Sequence, residues 1–169
     1  NLGNIFTEGE PVSFKVYTVG NAIEWEVYDA WKRKVVEGVE AVDSSGELDL
    51  IVPVTTKGYY DLIITAKNGT QVIKTINTAF AVISEFDISL IDDSPFGVST
   101  HFRYIWNPEM IPLIAKMGVK SIRDELYWSE IELEKGVYTF PAKYETYMSK
   151  LEQNNLNPFI ILDYVNRHY

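Results

Sequence analysis

The chain has no cysteine. Disulfides, thiolate metal sites and a cysteine nucleophile are therefore excluded. Basic residues are scarce: 15 Lys and Arg face 24 Asp and Glu, a net charge of −9 with a pI of about 4.7. Phosphate backbones are bound by clustered Lys and Arg, so no nucleic-acid partner is expected. No apolar run approaches the length that crosses a bilayer as a helix, so no membrane-spanning segment is expected. The opening residues, Asn1 to Val12, hold neither a basic stretch nor an apolar leader. No His, Asp and Glu spacing resembles a metal site, and we expect neither metal nor other cofactor.

What remains is apolar and aromatic. At 46% hydrophobic, the 169 residues can bury a core in one or two domains. There are 4 Trp, 11 Tyr and 8 Phe. Aromatic faces stack on sugar rings, but ordinary core and surface packing accounts for such a number without a ligand.

Residues 10 to about 84 carry the period of a sheet with one buried face. Val12, Phe14 and Val16 alternate with Ser13, Lys15 and Tyr17; Ile23, Trp25 and Val27 alternate with Glu24, Glu26 and Tyr28. Further strands are expected near 32–38, 46–54, 59–67 and 71–83. Asn68-Gly69 between the last two fits the positive backbone angles of a two-residue hairpin turn. The triplet Asn68-Gly69-Thr70 is also a glycosylation sequon. We read it as the turn, which accounts for the flanking alternation too. Short strands with frequent turns predict an antiparallel β-sandwich of immunoglobulin-like type over 1–90. Ser, Asp and Pro cluster over 84–95, which places a connector and a boundary near 90.

Beyond it, strand and helix alternate. A strand at 96–101 precedes Asn107-Pro108, an N-cap with proline at the first helical position. Met110, Ile111, Leu113, Ile114 and Met117 form an apolar stripe that Gly118 ends. A second strand follows at 119–126, a helix at 141–155 with Tyr144, Tyr147, Met148 and Leu151 on one face, and a third strand at 159–165. That strand is continuously apolar, as in a parallel strand covered on both faces. The order β-α-β-α-β predicts three parallel strands. An open doubly wound sheet and a (β/α) barrel both begin this way, but the first junction lacks the glycine cluster of a dinucleotide site. In a barrel, reactive residues follow the C-terminal ends of the strands. Those junctions here carry His101, Phe102, Arg103, Tyr104 and Trp106; Arg123, Asp124, Glu125, Tyr127 and Trp128; and Asp163, Tyr164, Asn166, Arg167, His168 and Tyr169. The mixture of polar and aromatic groups suits a carbohydrate.

The runs Phe96-Gly97-Val98, Lys116-Met117-Gly118-Val119-Lys120, Ile122-Arg123, Trp128-Ser129-Glu130-Ile131-Glu132, Lys135-Gly136-Val137-Tyr138-Thr139-Phe140 and Ile161-Leu162-Asp163-Tyr164 resemble the opening of a clan A glycoside hydrolase barrel. The likeness is to the β-xylosidase and α-iduronidase-like families and covers about 95–169. It implies that 91–169 is the first three β/α steps of a (β/α)8 TIM barrel. It also implies a retaining mechanism with two glutamates about 5–5.5 Å apart, placed after the fourth and seventh strands and so beyond Tyr169. The resemblance makes the whole layout similar to that of a secreted multidomain enzyme, at the cell surface or in the periplasm. On that expectation the parent cleaves a polysaccharide or oligosaccharide and this chain alone is inactive. The exposed sheet edge is then covered by the remaining barrel or a second copy. The alternative is a non-catalytic carbohydrate-binding or cell-surface β-sandwich protein with a degenerate barrel.

Among candidate residues, the resemblance makes Arg123 the arginine that supports the nucleophile by hydrogen bonding; without it, a salt bridge to Asp124 or Glu125 suffices. Trp128 either lines the pocket or plugs its loop against the barrel. His101 contacts sugar hydroxyls or is a structural hydrogen-bonder. Asp163, Tyr164 and Asn166 match the third loop of the family and suit sugar hydroxyls. Glu130, Glu132 and Glu134 alternate with Ile131 and Leu133, which predicts an exposed extended loop with solvated charges. Tyr138 and Phe140 are expected to pack under the second helix.

Overall fold

The computed structural model describes residues 1–102 and 107–169. They form two compact units, Asn1–Glu85 and Phe86–Tyr169. Most of the regular structure is sheet.

The first unit has seven strands: β1 (Ile5–Thr7), β2 (Val12–Tyr17), β3 (Ala22–Asp29), β4 (Lys34–Ala41), β5 (Glu47–Val52), β6 (Gly58–Asn68) and β7 (Gln71–Ile83). Five make one sheet in the order β1-β7-β6-β3-β4, and β2 pairs with β5 in a second. Every pairing is antiparallel except β1 on β7. Both sheets feed one core. Ile23, Trp25 and Val27 of β3 join Leu62 and Phe80 from the large sheet and Val12, Leu50 and Val52 from the small one. Each such side chain contributes about 1.5–3 kcal/mol by leaving water. Edge-to-face contacts link Phe6, Phe14 and Phe80, and Tyr60 stacks on Phe80. Gly38 lies opposite Trp25 across the β3–β4 ladder. A Cβ there would come within 2.4 Å of the indole ring, so the glycine makes the space that the tryptophan fills.

Three details depart from the sequence expectation. Strand β1 is only three residues long, too short for a period to reveal. Strand β4 begins at Lys34 because residues 30–33 turn: the Asp29 carboxylate accepts from the Trp31 and Arg33 amides, and Lys32 sits at φ +64. The hairpin loop is Gly69-Thr70 rather than Asn68-Gly69. Asn68 still pairs with Gln71, and Gly69 alone takes a positive φ of +58, as in a loop with glycine first.

The second unit holds β8 (Gly97–Ser99), a 3-10 turn (Pro108–Met110), α1 (Ile111–Lys116), β9 (Ser121–Tyr127), the single-turn α2 (Trp128–Ile131), α3 (Ala142–Gln153) and β10 (Asn157–Asp163). The three strands are parallel, in the order β10-β9-β8. Asn107 accepts from the Glu109 amide at 3.0 Å with Pro108 at the first position, and Gly118 closes the other end at φ +75. Helix α1 buries Ile111 and Ile114, whereas Met110 and Met117 are exposed, so the stripe is narrower than the sequence suggests. In α3, Tyr144, Tyr147 and Leu151 are buried. Ile122 of β9 meets Ile111, Ile114, Tyr147 and Leu151 in one core, with Val98 and Ile160 packed on it. The helices thus cover one face of the sheet, and alternation puts Arg123, Glu125 and Tyr127 on the other. Strand β10 is not covered on both faces: Phe159 is 66% and Leu162 72% exposed. Tyr138 is also exposed, and only Phe140 approaches α3, its ring 5.9 Å from that of Tyr144.

Candidate functional site

Three parallel strands end on one edge, so the segments after β8, β9 and β10 gather there. Register brings Ser99, Arg123 and Phe159 into one row, Glu125 beside Ile161, and Tyr127 beside Asp163. These rows form the face away from the helices. On it, Arg123 Nη1 lies 2.8 Å from Glu125 Oε1, and the Glu125 side chain is only 12% exposed. The pair is a part-buried charge couple two positions apart on one strand. The rings of Tyr127 and Tyr164 are 4.3 Å apart, and Tyr164 takes a positive φ of +59 to reach that contact.

Asp124 points the opposite way and is buried. Its Oδ2 accepts from Thr100 Oγ1 at 2.6 Å and from the Phe102 amide at 3.2 Å. It thereby fastens the turn that carries His101, which is itself exposed. Tyr147 lies behind Asp124, and burial pushes its phenol up, with the Asp124 charge adding to the effect. A cavity of about 150 Å³ lies on this helix side, lined by Phe102, Asp124, Leu126, Lys143, Tyr144 and Tyr147.

The segments after β9 and β10 are fastened by Glu132. Its carboxylate is buried and accepts from Trp128 Nε1, from the Gly136 amide at 2.6 Å and from the Tyr169 hydroxyl at 2.8 Å. The Gly136 bond is the chief cause that holds its pKa below the usual value, against the effect of burial. The Tyr169 phenol is pushed up to about 12, first by that same carboxylate. Trp128 stacks on Tyr169 with centroids 4.9 Å apart, and Lys135 Nζ lies 4.7 Å over the Tyr169 ring. Asn166 Nδ2 donates to the Glu132 carbonyl at 2.8 Å, and His168 Nε2 is 3.0 Å from the Leu133 carbonyl. Glu130 accepts from the Tyr144 hydroxyl at 2.6 Å and pairs with Lys143.

This corrects the expectation for the glutamates. Residues 128–131 wind into a helical turn, so Glu132 folds inward; of the three, only Glu134 is an exposed carboxylate. The spacing that reveals it is Trp128 four residues before and Gly136 four after. Among the expected site residues, Arg123, Asp163 and Tyr164 stand at the rows or the end of the open face. Trp128 and Asn166 are engaged in the Glu132 clamp, Asn166 fully buried. Arg123 to Tyr127 belong to the strand rather than to the loop after it. Arg103, Tyr104 and Trp106 lie outside the described residues. Among the described residues, no group of three or more His, Asp or Glu side chains is placed to hold a metal ion, and no helix is long and apolar enough to cross a membrane.

The first unit has a larger cavity, about 470 Å³, between the ends of the two sheets. Val16, Tyr17, Ile64, Ala66, Ile73 and Ile76 are among the residues that line it.

No family model and no curated protein matches the chain. Among solved structures, it is similar to a family 39 glycoside hydrolase from Bacteroides cellulosilyticus WH2, with 24% identity and a TM-score of 0.78. That match covers 98% of this chain and 34% of the other. β-Glucuronidases from Bifidobacterium dentium and Parabacteroides merdae align over 89% and 83% of the chain, which covers 26% and 19% of theirs, at 12% and 18% identity. Their TM-scores, 0.41 and 0.37, are too low to bear on the fold. The chain therefore shares the fold of a segment of the Bacteroides cellulosilyticus enzyme and spans about a third of that enzyme's length.

Proposed function

We propose that this chain is the N-terminal portion of a glycoside hydrolase, with an immunoglobulin-like β-sandwich ahead of the first three β/α steps of a (β/α)8 barrel. The observation that carries this reading is the second unit's sheet. Its strands run parallel in chain order, its helices cover one face, and the segments after its strands collect polar and aromatic groups at one edge. The shared fold with a family 39 glycoside hydrolase supports it.

On this reading the uncovered face becomes the barrel interior. Arg123, held by Glu125, stands below the reaction centre and steadies the nucleophile. Asp163, Tyr164 and His101 offer hydrogen bonds to sugar hydroxyls, and Trp128 is the rigid wall of the loop. The clan A families imply two glutamates, one as acid/base and one as nucleophile, after the fourth and seventh strands and beyond Tyr169. The reaction is then a retaining double displacement on a polysaccharide or oligosaccharide. The enzyme works outside the cytoplasm, and the edge at β10 is covered by the remaining barrel or a second copy.

The test is turnover. The protein encoded by the whole gene hydrolyses aryl glycosides with retention of anomeric configuration, and residues 1–169 alone do not. Activity of 1–169 alone, or inversion by the whole protein, refutes the reading.

A second reading rests on the 470 Å³ cavity of the first unit. It makes the sandwich a carbohydrate-binding module and the barrel degenerate. Glycan binding that is lost on Ile76→Lys but kept on Arg123→Ala favours it.

A further inference from the structure

Asn68 is the only asparagine of the chain that is followed by glycine. That pair has a chemistry of its own. The main-chain nitrogen of the glycine attacks the side-chain amide carbon, a C–N bond forms, and the amide nitrogen leaves as ammonia with the proton the main-chain nitrogen gave up. Water opens the resulting succinimide at either carbonyl, which yields aspartate or isoaspartate. One water is consumed and one ammonia released, with no oxidant or reductant. A side chain on the following residue hinders the attack, and glycine has none.

The fold exposes this pair and also restrains it. Asn68, Gly69 and Thr70 are all exposed. A Cβ on Gly69 would meet nothing within 4 Å, so no other element crowds the glycine. The attacking nitrogen, however, is already engaged: the Gly69 amide donates to Asn21 Oδ1 at 3.1 Å. Asn21 is itself fixed, because its own amide donates to the Lys67 carbonyl at 2.9 Å. An N–H held in a hydrogen bond is turned toward its acceptor and gives up its proton less readily.

We propose that Asn68 is a self-modifying position, converted through a succinimide to aspartate or isoaspartate, and that the Asn21 side chain sets its rate by holding the Gly69 amide. The conversion has structural consequences. Isoaspartate adds a methylene to the main chain at the last pair of the β6–β7 ladder, Asn68 with Gln71. Either product puts a carboxylate at the wall of a crevice of about 380 Å³ that Thr18, Asn21, Asp43 and Ser45 also line. The site is thus a slow, irreversible switch of charge and shape at one end of the first unit.

The test incubates the 169-residue chain at mildly alkaline pH and follows residue 68 by tandem mass spectrometry, with isoaspartate labelled by its methyltransferase. The wild type converts at Asn68 ahead of every other asparagine. Asn21→Ala converts several-fold faster at that position alone, and Asn21→Asp, which keeps an acceptor, stays near the wild-type rate. Equal rates in wild type and Asn21→Ala overturn the proposal. So does conversion that leaves Asn68 intact. A general loosening by Asn21→Ala is visible as faster conversion at Asn77 in the paired strand β7, and it too counts against a specific restraint.

Discussion

Asp124→Ala is the substitution whose cost the second unit specifies most closely. The carboxylate accepts from the Thr100 hydroxyl and the Phe102 amide, and Thr100 is fully buried. Alanine removes this acceptor from both donors, and the Thr100 hydroxyl keeps only a long contact of 3.5 Å to the Arg123 carbonyl. A buried donor left unmet costs about 1–3 kcal/mol. The Phe102 amide lies in a turn that relaxes in part, so the expected total is about 2–4 kcal/mol. For a domain of this size that lowers the melting temperature by about 10–30 °C. Asp124→Asn keeps an acceptor oxygen and the shape, and should cost no more than about 1 kcal/mol. Thermal melting by near-UV circular dichroism reads the loss, and hydrogen exchange assigns the weakened amides to 86–169 rather than to the first unit. An Asp124→Ala protein that melts with the wild type refutes the idea that this carboxylate fastens the turn after β8.

Three further outcomes follow from the packing and charge already described. Gly38→Ala forces a Cβ against the Trp25 ring and destabilises the first unit by about 1–3 kcal/mol, as overpacking does; denaturant titration measures it, and Trp25→Phe in the same chain restores part of it. Glu132 has a lowered pKa, so the stability it adds is complete above its unfolded value of 4.5 and fades as pH falls through the lower folded one. Acid titration of Trp128 fluorescence should therefore show a transition below pH 4.5 that Glu132→Gln abolishes. Phe159, Leu162 and Val165 are exposed on or beside β10. The isolated chain should bind an apolar-surface dye or self-associate, and Leu162→Lys should reduce both; a monodisperse monomer with low dye binding refutes an uncovered edge.

Much of the fold was legible because both units obey simple periods. The alternation of Ile23, Trp25 and Val27 fixes a one-faced strand, and the Asn107-Pro108 and Gly118 signals bracket α1. The parts that were not legible depend on contacts far apart in sequence. Strand β1 exists because β7 offers it an edge, not because three residues have a period. Glu132 looked like one of three solvated charges, and only the helical turn at Trp128 and the return of Tyr169 bury it. Strand β10 is as apolar as a strand covered on both faces, yet its Phe159 and Leu162 stay exposed because no described element packs on them. In the candidate site, the sequence grouped polar and aromatic residues at the ends of three strands expected to be parallel, and those strands are parallel. It did not separate groups that face outward, such as Arg123, from groups such as Asn166 that hold the scaffold.

On the proposed function, this chain is part of a glycoside hydrolase and its open sheet face lines the reaction centre. The most direct measurement is the turnover number of the whole-gene protein on aryl glycosides, wild type beside Arg123→Ala, with Glu40→Gln, an exposed position on β4 of the first unit, as the control. The account predicts hydrolysis by the wild type, a loss of at least tenfold in kcat for Arg123→Ala, which corresponds to about 1.4 kcal/mol or more of transition-state stabilisation, and little change for the control. Equal kcat in wild type and Arg123→Ala contradicts it.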